Sequence, residues 1–445
     1  MSGTIKVTGG NKLRGEISPI PNKNSIVAAL PAAMLSDKEV VFKNVPATSD
    51  VEKILELMKQ LGAEVKESGL GNVTINCRGL HSYTVDEKIG GQFRGSLMFV
   101  GPLLARFGKA IVPLPGGCEL GMRSIEAHTD VLSKVGVKIS CQGALVHFEA
   151  PKKLKEKYRV WQTEASVTAT ENLAMYAAGI RAEVEIIDAA CEPHVVDVLR
   201  LLTDMGAKVE GAGSNRVTIK GTTVHKKADF LPRPDFIDIA GMIVAVAVTD
   251  GHVRIRGANI PDIVDGMINW YEMFNIKIDR EGDDLLVSVG KGGLEVDVRK
   301  QGFPMGAPNL PKLYPRPWPG FPVDAIPPIA VLASKSRGRL LLMNWMYESG
   351  LDYVRELNSM GADILMMDPQ RIIVNGPVKF KGGSVTTPSV IQACKAIFLA
   401  ALADKVTTTI YGVDILRRRY PNIFEVYRSL GAEIEVVPEV LSVGK

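Results

Sequence analysis

The sequence predicts an α/β chain of two domains, each assembled from three copies of one small unit. Three observations predict it. An amphipathic helical stretch, a Leu/Met-Gly-Ala type break and a short alternating strand recur six times, over Leu57–Val65, Val131–Ile139, Leu201–Val209, Asn269–Ile278, Leu357–Ile364 and Tyr427–Ile434. The copies lie roughly 70 to 85 residues apart, too far for a thin solenoid of about 20 to 50 residues per unit but enough for a small α/β subdomain. The chain has 445 residues, more than a single hydrophobic core usually serves, so six units divide most simply into two groups of three.

Each element has a local reason. The breaks fall on Gly62, Gly136, Gly206, Gly361 and Gly431, with Asn275 in the fourth copy; a helix ends cheaply on a residue that accepts the left-handed conformation, glycine first and asparagine next. Within a unit the order reads strand, helix, strand, helix, strand, strand. In the first, Glu39–Val45 alternates as a strand, Ser49-Asp50 is expected to cap a helix running to Leu61, and Ala63–Lys66 and Asn72–Asn76 flank Gly69 and Gly71 as a hairpin. In the third, Val184–Ile187 leads into Glu192-Pro193, with Pro193 in the first turn of a helix reaching Met205, followed by strands at Lys208-Val209 and Arg216–Ile219. Pro304 to Pro328 is dense in proline, which excludes a regular helix or a central strand there. Tyr314, Trp318 and Phe321 within it predict an ordered loop packed on something rather than a linker. The stretches Pro19–Asn22 and Leu231–Pro234 are the expected domain crossings, giving domains 22–232 and 1–21 plus 233–445.

Composition narrows the function. Apolar residues make up 46% and charged residues 23%, with no apolar run long enough to span a bilayer. A net charge of +4 does not mark a nucleic-acid binder. Met1–Val7 lacks the charged-then-apolar shape of a secretory signal, and five widely spaced cysteines fit a reducing cytoplasm better than a disulfide framework. None of them sits in a CxxC or Cys/His cluster, so no metal is expected. Arg417-Arg418-Arg419 is a local basic group; the mixed-charge Pro151–Lys157 reads as a solvated turn.

Two places carry chemistry by residue type. Leu114-Pro115-Gly116-Gly117-Cys118 sets a thiol on a glycine-rich loop. Cys118 is either a small buried hydrophobe or, with Gly and Glu beside it, an exposed thiol tuned for proton transfer. Asn22-Lys23-Asn24-Ser25 precedes the apolar run Ile26–Leu35, which places Lys23 at a helix N-terminus, where free amides already favour anions. Arg123 and Arg418 are the cations that would join it around a phosphate or carboxylate.

Several stretches in this order resemble the enolpyruvyl transferases, over about Ile5 to Val436. They are Gly9–Glu16, Lys23-Asn24, Gly101–Gly108, Leu114–Cys118, Ala169-Thr170-Glu171-Asn172, Glu192-Pro193 and Pro319–Asp324. Within the family the chain is most similar to the branch that acts on UDP-N-acetylglucosamine. The resemblance implies a two-domain inverse α/β barrel of six βαβαββ units, with the active site in the cleft and the N-terminal strand joined to the second domain. It implies transfer of the enolpyruvyl group of phosphoenolpyruvate to the 3-hydroxyl of UDP-N-acetylglucosamine, releasing phosphate, in the first committed step of peptidoglycan synthesis. No metal or redox cofactor is implied, and no partner beyond the two small-molecule substrates.

By the same resemblance Lys23, Arg123 and Arg418 hold phosphoenolpyruvate, Arg418 being the arginine that precedes a Gly-Tyr pair in the family and Arg419-Tyr420 here. Cys118 is the general acid, alkylated in the family by fosfomycin, and Asp324 is the base for the acceptor hydroxyl. Asn24, Arg94, Ser166, Asp324 and Glu348 fall on the substrate-binding positions, and Asp50, Asp235 and Glu348 on those of closure. The acceptor side departs from the family: Met98 stands for an aromatic residue, Glu164 for a lysine, Thr168 for a glycine and Gly350 for an arginine, while an Asp-Leu-Arg sequence is missing around Thr386–Gln392. These departures leave open another nucleotide or hydroxylated acceptor, or a relative that binds a sugar nucleotide without turnover.

Overall fold

The computed structural model describes residues 3–69, 71–114, 124–222, 225–297 and 310–438. The chain divides into two compact units. One comprises Met1–Ile20 and Pro234–Lys445, the other Pro21–Gly117 and Met122–Arg233.

One sheet pattern recurs through both units. In its fullest form, strand Lys157–Trp161 runs parallel to Glu183–Ile187, which pairs antiparallel with Arg216–Lys220, itself antiparallel to Lys208–Glu210. The parallel pair is joined through a helix, Val167–Ala178, and the next crossing is Pro193–Asp204. This is βαβαββ, and five sheets show four strands in that order. The sixth has three among the described residues, and its missing edge is reduced to a single parallel bridge from Thr84 to Ile111.

Three copies are completed by distant segments. Ala228–Phe230, late in the Pro21–Arg233 unit, supplies the parallel edge strand beside Val40–Phe42. Thr4–Thr8 inserts between Thr407–Tyr411 and Glu433–Val437 as the last antiparallel strand of the sixth copy. A few residues later, Arg14–Ile17 opens the fourth copy beside His252–Ile255.

The break positions behave as their residue types require. Gly62, Gly136, Gly206, Gly361 and Gly431 have φ from 88° to 113°, and Asn275 has φ 59°. The helices fall into two kinds. Ser49–Gln60 is amphipathic, burying Val51, Ile54, Leu55, Leu57 and Met58 at helical spacing. Phe236–Val248 is buried along its whole length, and Val167–Ala178 from Ala169 onward. In the unit containing Pro234–Lys445, Phe236–Val248, Ile326–Lys335 and Ile391–Ala403 pack on one another beneath open sheets. Helices inside and sheets outside make this an inverse α/β barrel, and each unit has its own hydrophobic core.

Two local expectations need correction. Ser49 and Asp50 do not cap their helix; Thr48 holds that position, and Asp50 lies within the first turn. The proline-rich segment does not exclude a helix at its end, because Pro327 and Pro328 occupy the first turn of Ile326–Lys335, where a missing N–H leaves no helical bond unmade. The rest of that segment from Leu310 is ordered: Trp318 packs on Phe236 with ring centroids 5.3 Å apart, and Phe321 on Trp270 at 6.0 Å. Residues 304–309 lie outside the described residues.

Candidate active site

In the Pro21–Arg233 unit, the Asn22 side chain accepts from the N–H groups of Asn24 (3.0 Å) and Ser25 (3.2 Å), so helix Lys23–Ala32 begins at Lys23. That puts the ammonium at the positive end of a helix. Lys23 is only 8% exposed, and its Nζ pairs with Asp50 Oδ2 at 2.5 Å. Asn24, half-buried, follows it in the first turn. One residue on, Ser25 Oγ donates to Asp197 Oδ2 (2.7 Å), while Arg233 Nε donates to Asp197 Oδ1 (2.6 Å). Residues far apart in sequence are thereby tied to one helix start.

Behind this lies Glu171, buried in helix Val167–Ala178. Burial, reinforced by the charges of Glu192 and Asp197, pushes its carboxyl well above the usual range, and Oε1 has no hydrogen-bond partner. Burial therefore favours the neutral form of this carboxyl. Glu171 lies in one of the stretches that carry the resemblance, but its burial and the Asp197–Arg233 pair are tertiary properties that the sequence does not show.

A second polar group surrounds His128. Asn172 accepts from the Gly101 N–H (2.5 Å) and donates to the Leu97 carbonyl (2.7 Å), which fixes its amide orientation. Its Nδ2 is then the donor to His128 Nδ1 (3.1 Å), leaving the imidazole proton on Nε2, 2.9 Å from Thr168 Oγ1. Burial first, and the Arg94 charge second, hold the His128 pKa down at about 3. Ser166 caps helix Val167–Ala178 through its own Oγ, and Arg94, half-buried, donates to the Ser124 carbonyl at 3.0 Å. Among the family departures, Glu164 is exposed and Thr168 is committed to His128. Met98 is 1% exposed and belongs to the hydrophobic core, so its side chain packs the interior.

In the other unit the order of events resembles that around Asn22. Asp235 caps helix Phe236–Val248, its Oδ1 accepting from Ile237 N (2.9 Å) and Asp238 N (3.2 Å). The same carboxylate receives Arg419 Nε (2.9 Å) and Nη2 (2.8 Å), a two-pronged contact. Arg419 is buried, and its Nη1 lies 3.6 Å from Asp324 Oδ2. Burial opposes the charge, but Asp235 outweighs it and keeps the guanidinium pKa above its ordinary value. Beside it, Lys395 donates to Asp238 Oδ1 (2.8 Å) under the ring of Tyr420, its Nζ 4.0 Å from the centroid.

Asp324 sits in the short 3-10 turn Val323–Ala325 with its side chain 31% exposed. Arg418, half-buried, ends the turn Val413–Arg418. Glu348 is exposed. Gly350 packs against Asn344: a Cβ there would lie 2.2 Å from Asn344 Nδ2, so a larger residue would displace that side chain. Lys23 and Arg418 belong to different units, and Cys118 and Arg123 lie outside the described residues. Cys77, Cys141, Cys191 and Cys394 are free thiols; burial raises Cys77 and Cys394 to about 12, which makes them inert at neutral pH. Among the described residues no group of three or more His, Cys, Asp and Glu could hold a metal ion, and no helix is long and apolar enough to cross a membrane.

With this geometry in view, comparisons with known proteins are specific. The profile of EPSP synthase (3-phosphoshikimate 1-carboxyvinyltransferase) matches residues 7–427. The UDP-N-acetylglucosamine 1-carboxyvinyltransferase of Bradyrhizobium diazoefficiens is 35% identical over 433 residues, covering 97% of this chain and 98% of that one. The enzyme of the same name from Borreliella burgdorferi is 32% identical over 431 residues, with the same coverage. In three dimensions the chain is similar to the enolpyruvyl transferase NikO of Streptomyces tendae, with a TM-score of 0.85 at 21% identity over 98% of this chain and 100% of that one. It is also similar to the EPSP synthase of Acinetobacter baumannii, with a TM-score of 0.73 at 17% identity and the same coverage. Sequence match and inverse-barrel architecture agree: the chain belongs to the EPSP synthase family of enolpyruvyl (carboxyvinyl) transferases.

Proposed function

We propose that the chain transfers the enolpyruvyl group of phosphoenolpyruvate to the 3-hydroxyl of UDP-N-acetylglucosamine, releasing phosphate, as the first committed step of peptidoglycan synthesis. The observation that carries this reading is the 35% identity, nearly end to end on both chains, to an enzyme named for that reaction.

The chemistry assigns the residues their work. Proton donation to the methylene carbon of phosphoenolpyruvate, by Cys118, makes C2 electrophilic. The acceptor oxygen then bonds to C2 as Asp324 takes its proton, giving a tetrahedral phospho-ketal. Return of a methyl proton to the Cys118 thiolate and departure of phosphate restore the double bond. Lys23, Arg123 and Arg418 balance the phosphate and carboxylate charges through these steps. Asn24, Arg94, Ser166 and Glu348 bind the sugar nucleotide.

Three features of the structure support the assignment. The Lys23 ammonium stands at the positive end of helix Lys23–Ala32, a field that favours an anion. Asp324 is partly open to solvent, as a base for an incoming hydroxyl must be. Met98 packs in the hydrophobic core, so that departure from the family does not by itself call for a different acceptor.

The test is phosphate release from phosphoenolpyruvate in the presence of UDP-N-acetylglucosamine, with the enolpyruvyl product identified by mass spectrometry, alongside a panel of UDP-sugars, nucleotides and other hydroxylated acceptors. Turnover dependent on UDP-N-acetylglucosamine is expected. Turnover confined to another acceptor, or none at all, refutes the reading.

A further inference from the structure

We propose that Arg419 is a positioning residue for this reaction: anchored on Asp235, it holds the Asp324 carboxylate in the orientation that receives the acceptor proton. The inference rests on the function proposed above and adds to it a residue to which the resemblance assigned no role.

The geometry is that of a fork used on two sides. Nε and Nη2 are both committed to Asp235, at 2.9 and 2.8 Å, which fixes the plane of the guanidinium. The remaining nitrogen, Nη1, is the one beside Asp324. Asp235 is itself immobilised by the Ile237 and Asp238 N–H groups at the head of a fully buried helix, and its own N–H donates to the Ile20 carbonyl at 2.8 Å. The loop that carries Asp324 refers to the same helix, since Trp318 packs on Phe236. Backbone turn and cation are thus both referenced to one rigid helix start.

The separation matters as much as the direction. At 3.6 Å the Arg419–Asp324 contact is an ion pair too long for a hydrogen bond. Arg419 therefore attracts the carboxylate without occupying its lone pairs, which stay available for a proton. A lysine could neutralise Asp235 or face Asp324, but a single ammonium has no fixed plane with which to do both.

The experiment compares wild type with Arg419→Lys and with the pair Asp235→Asn/Arg419→Gln, each also in an Asp324→Asn background. The pair removes both buried charges, so neither is left without its partner. Thermal melting reports folding, steady-state kinetics report kcat and both KM values, and aspartate labelled at the carboxyl carbon reports Asp324, assigned by its loss in Asp324→Asn.

In the folded pair variant kcat should fall about ten- to a hundredfold, the scale of a misplaced catalytic group, while KM for phosphoenolpyruvate stays within about twofold. The Asp324 resonance should move, Arg419→Lys should lose less, and in the Asp324→Asn background the pair should cost almost nothing further. Unchanged kcat, an unmoved Asp324 resonance, or an equal loss in the Asp324→Asn background overturns the proposal. If the pair does not fold, Arg419→Lys carries the same comparison, with the same overturning results. Absence of wild-type turnover with UDP-N-acetylglucosamine defeats the proposed reaction instead; the resonance still decides whether Arg419 holds Asp324, a shift supporting it and no shift overturning it.

Discussion

Acidification should weaken the Pro21–Arg233 unit through a single imidazole. His128 is buried, its Nδ1 accepts from Asn172, and its Nε2–H donates to Thr168. A second proton on Nδ1 would meet the Asn172 amide hydrogens and put a charge where water cannot solvate it, near the Arg94 guanidinium. That is the physical content of a pKa lowered from 6.5 to about 3. Between those values the unfolded chain binds a proton that the folded chain refuses, so the contribution is complete above pH 6.5 and is lost as the pH falls toward 3. At pH 4.5 the unfolded state has gained about two pH units of advantage, or about 3 kcal/mol. The perturbation is His128→Asn, which keeps an acceptor for Asn172 and removes the titrating ring. Its packing loss is the same at every pH and cancels when urea unfolding at pH 8 and pH 4.5 is compared as a difference of differences. Wild type should lose about 3 kcal/mol more than the variant across that interval. In parallel, carbon-detected titration of the ring should show His128 unchanged down to pH 4.5, in the Nε2–H tautomer. A His128 ring titrating above about pH 5, or carrying its proton on Nδ1, would refute the reasoning.

Three other outcomes follow from the same geometry. Lys23→Met should weaken phosphoenolpyruvate binding by roughly ten- to a hundredfold in calorimetry, the range of a charge-assisted contact; it also strips Asp50 of its ammonium, so Lys23→Met/Asp50→Asn should recover melting temperature but not affinity, and full affinity in either variant contradicts the role given to Lys23. Fosfomycin should add to Cys118 and spare Cys77 and Cys394, whose buried thiols are held at about 12; peptide mapping that finds no adduct at Cys118 after prolonged incubation with UDP-N-acetylglucosamine counts against a reactive thiol there. Glu171→Gln should gain stability relative to wild type as pH rises above about 4.5, because burial raises the folded carboxyl pKa and the unfolded chain then releases a proton that the folded chain keeps; a melting-temperature difference that is flat from pH 4.5 to 8 would show that Glu171 is ionised in the fold.

What could be read before folding, and what could not, divides along a physical line. The six breaks were legible because a left-handed residue at a helix end is a local demand, met by Gly62, Gly136, Gly206, Asn275, Gly361 and Gly431 from neighbouring residues alone. The helix start at Asn22, and with it the place of Lys23, is legible for the same reason. So is the aromatic anchoring of the proline-rich loop, though not the partners Phe236 and Trp270, which come from elsewhere in the chain. The cap of the second helix was misread by one residue because Asp50 looks like a capping residue locally, whereas its carboxylate answers to Lys23, 27 positions away.

The amino-acid sequence by itself determined the repeat, the helix ends and the family, and it named the residues proposed to handle phosphoenolpyruvate, since all of these depend on residue type and short spacing. The resemblance already joined the N-terminal strand to the second domain; only the tertiary structure decided that Thr4–Thr8 lies between Thr407–Tyr411 and Glu433–Val437, that Met98 packs the core, that His128 is neutral and that Arg419 faces Asp324. Burial and charge proximity arise from contacts across hundreds of residues. A guanidinium beside two carboxylates at positions 235 and 324 has no signature within any window around position 419.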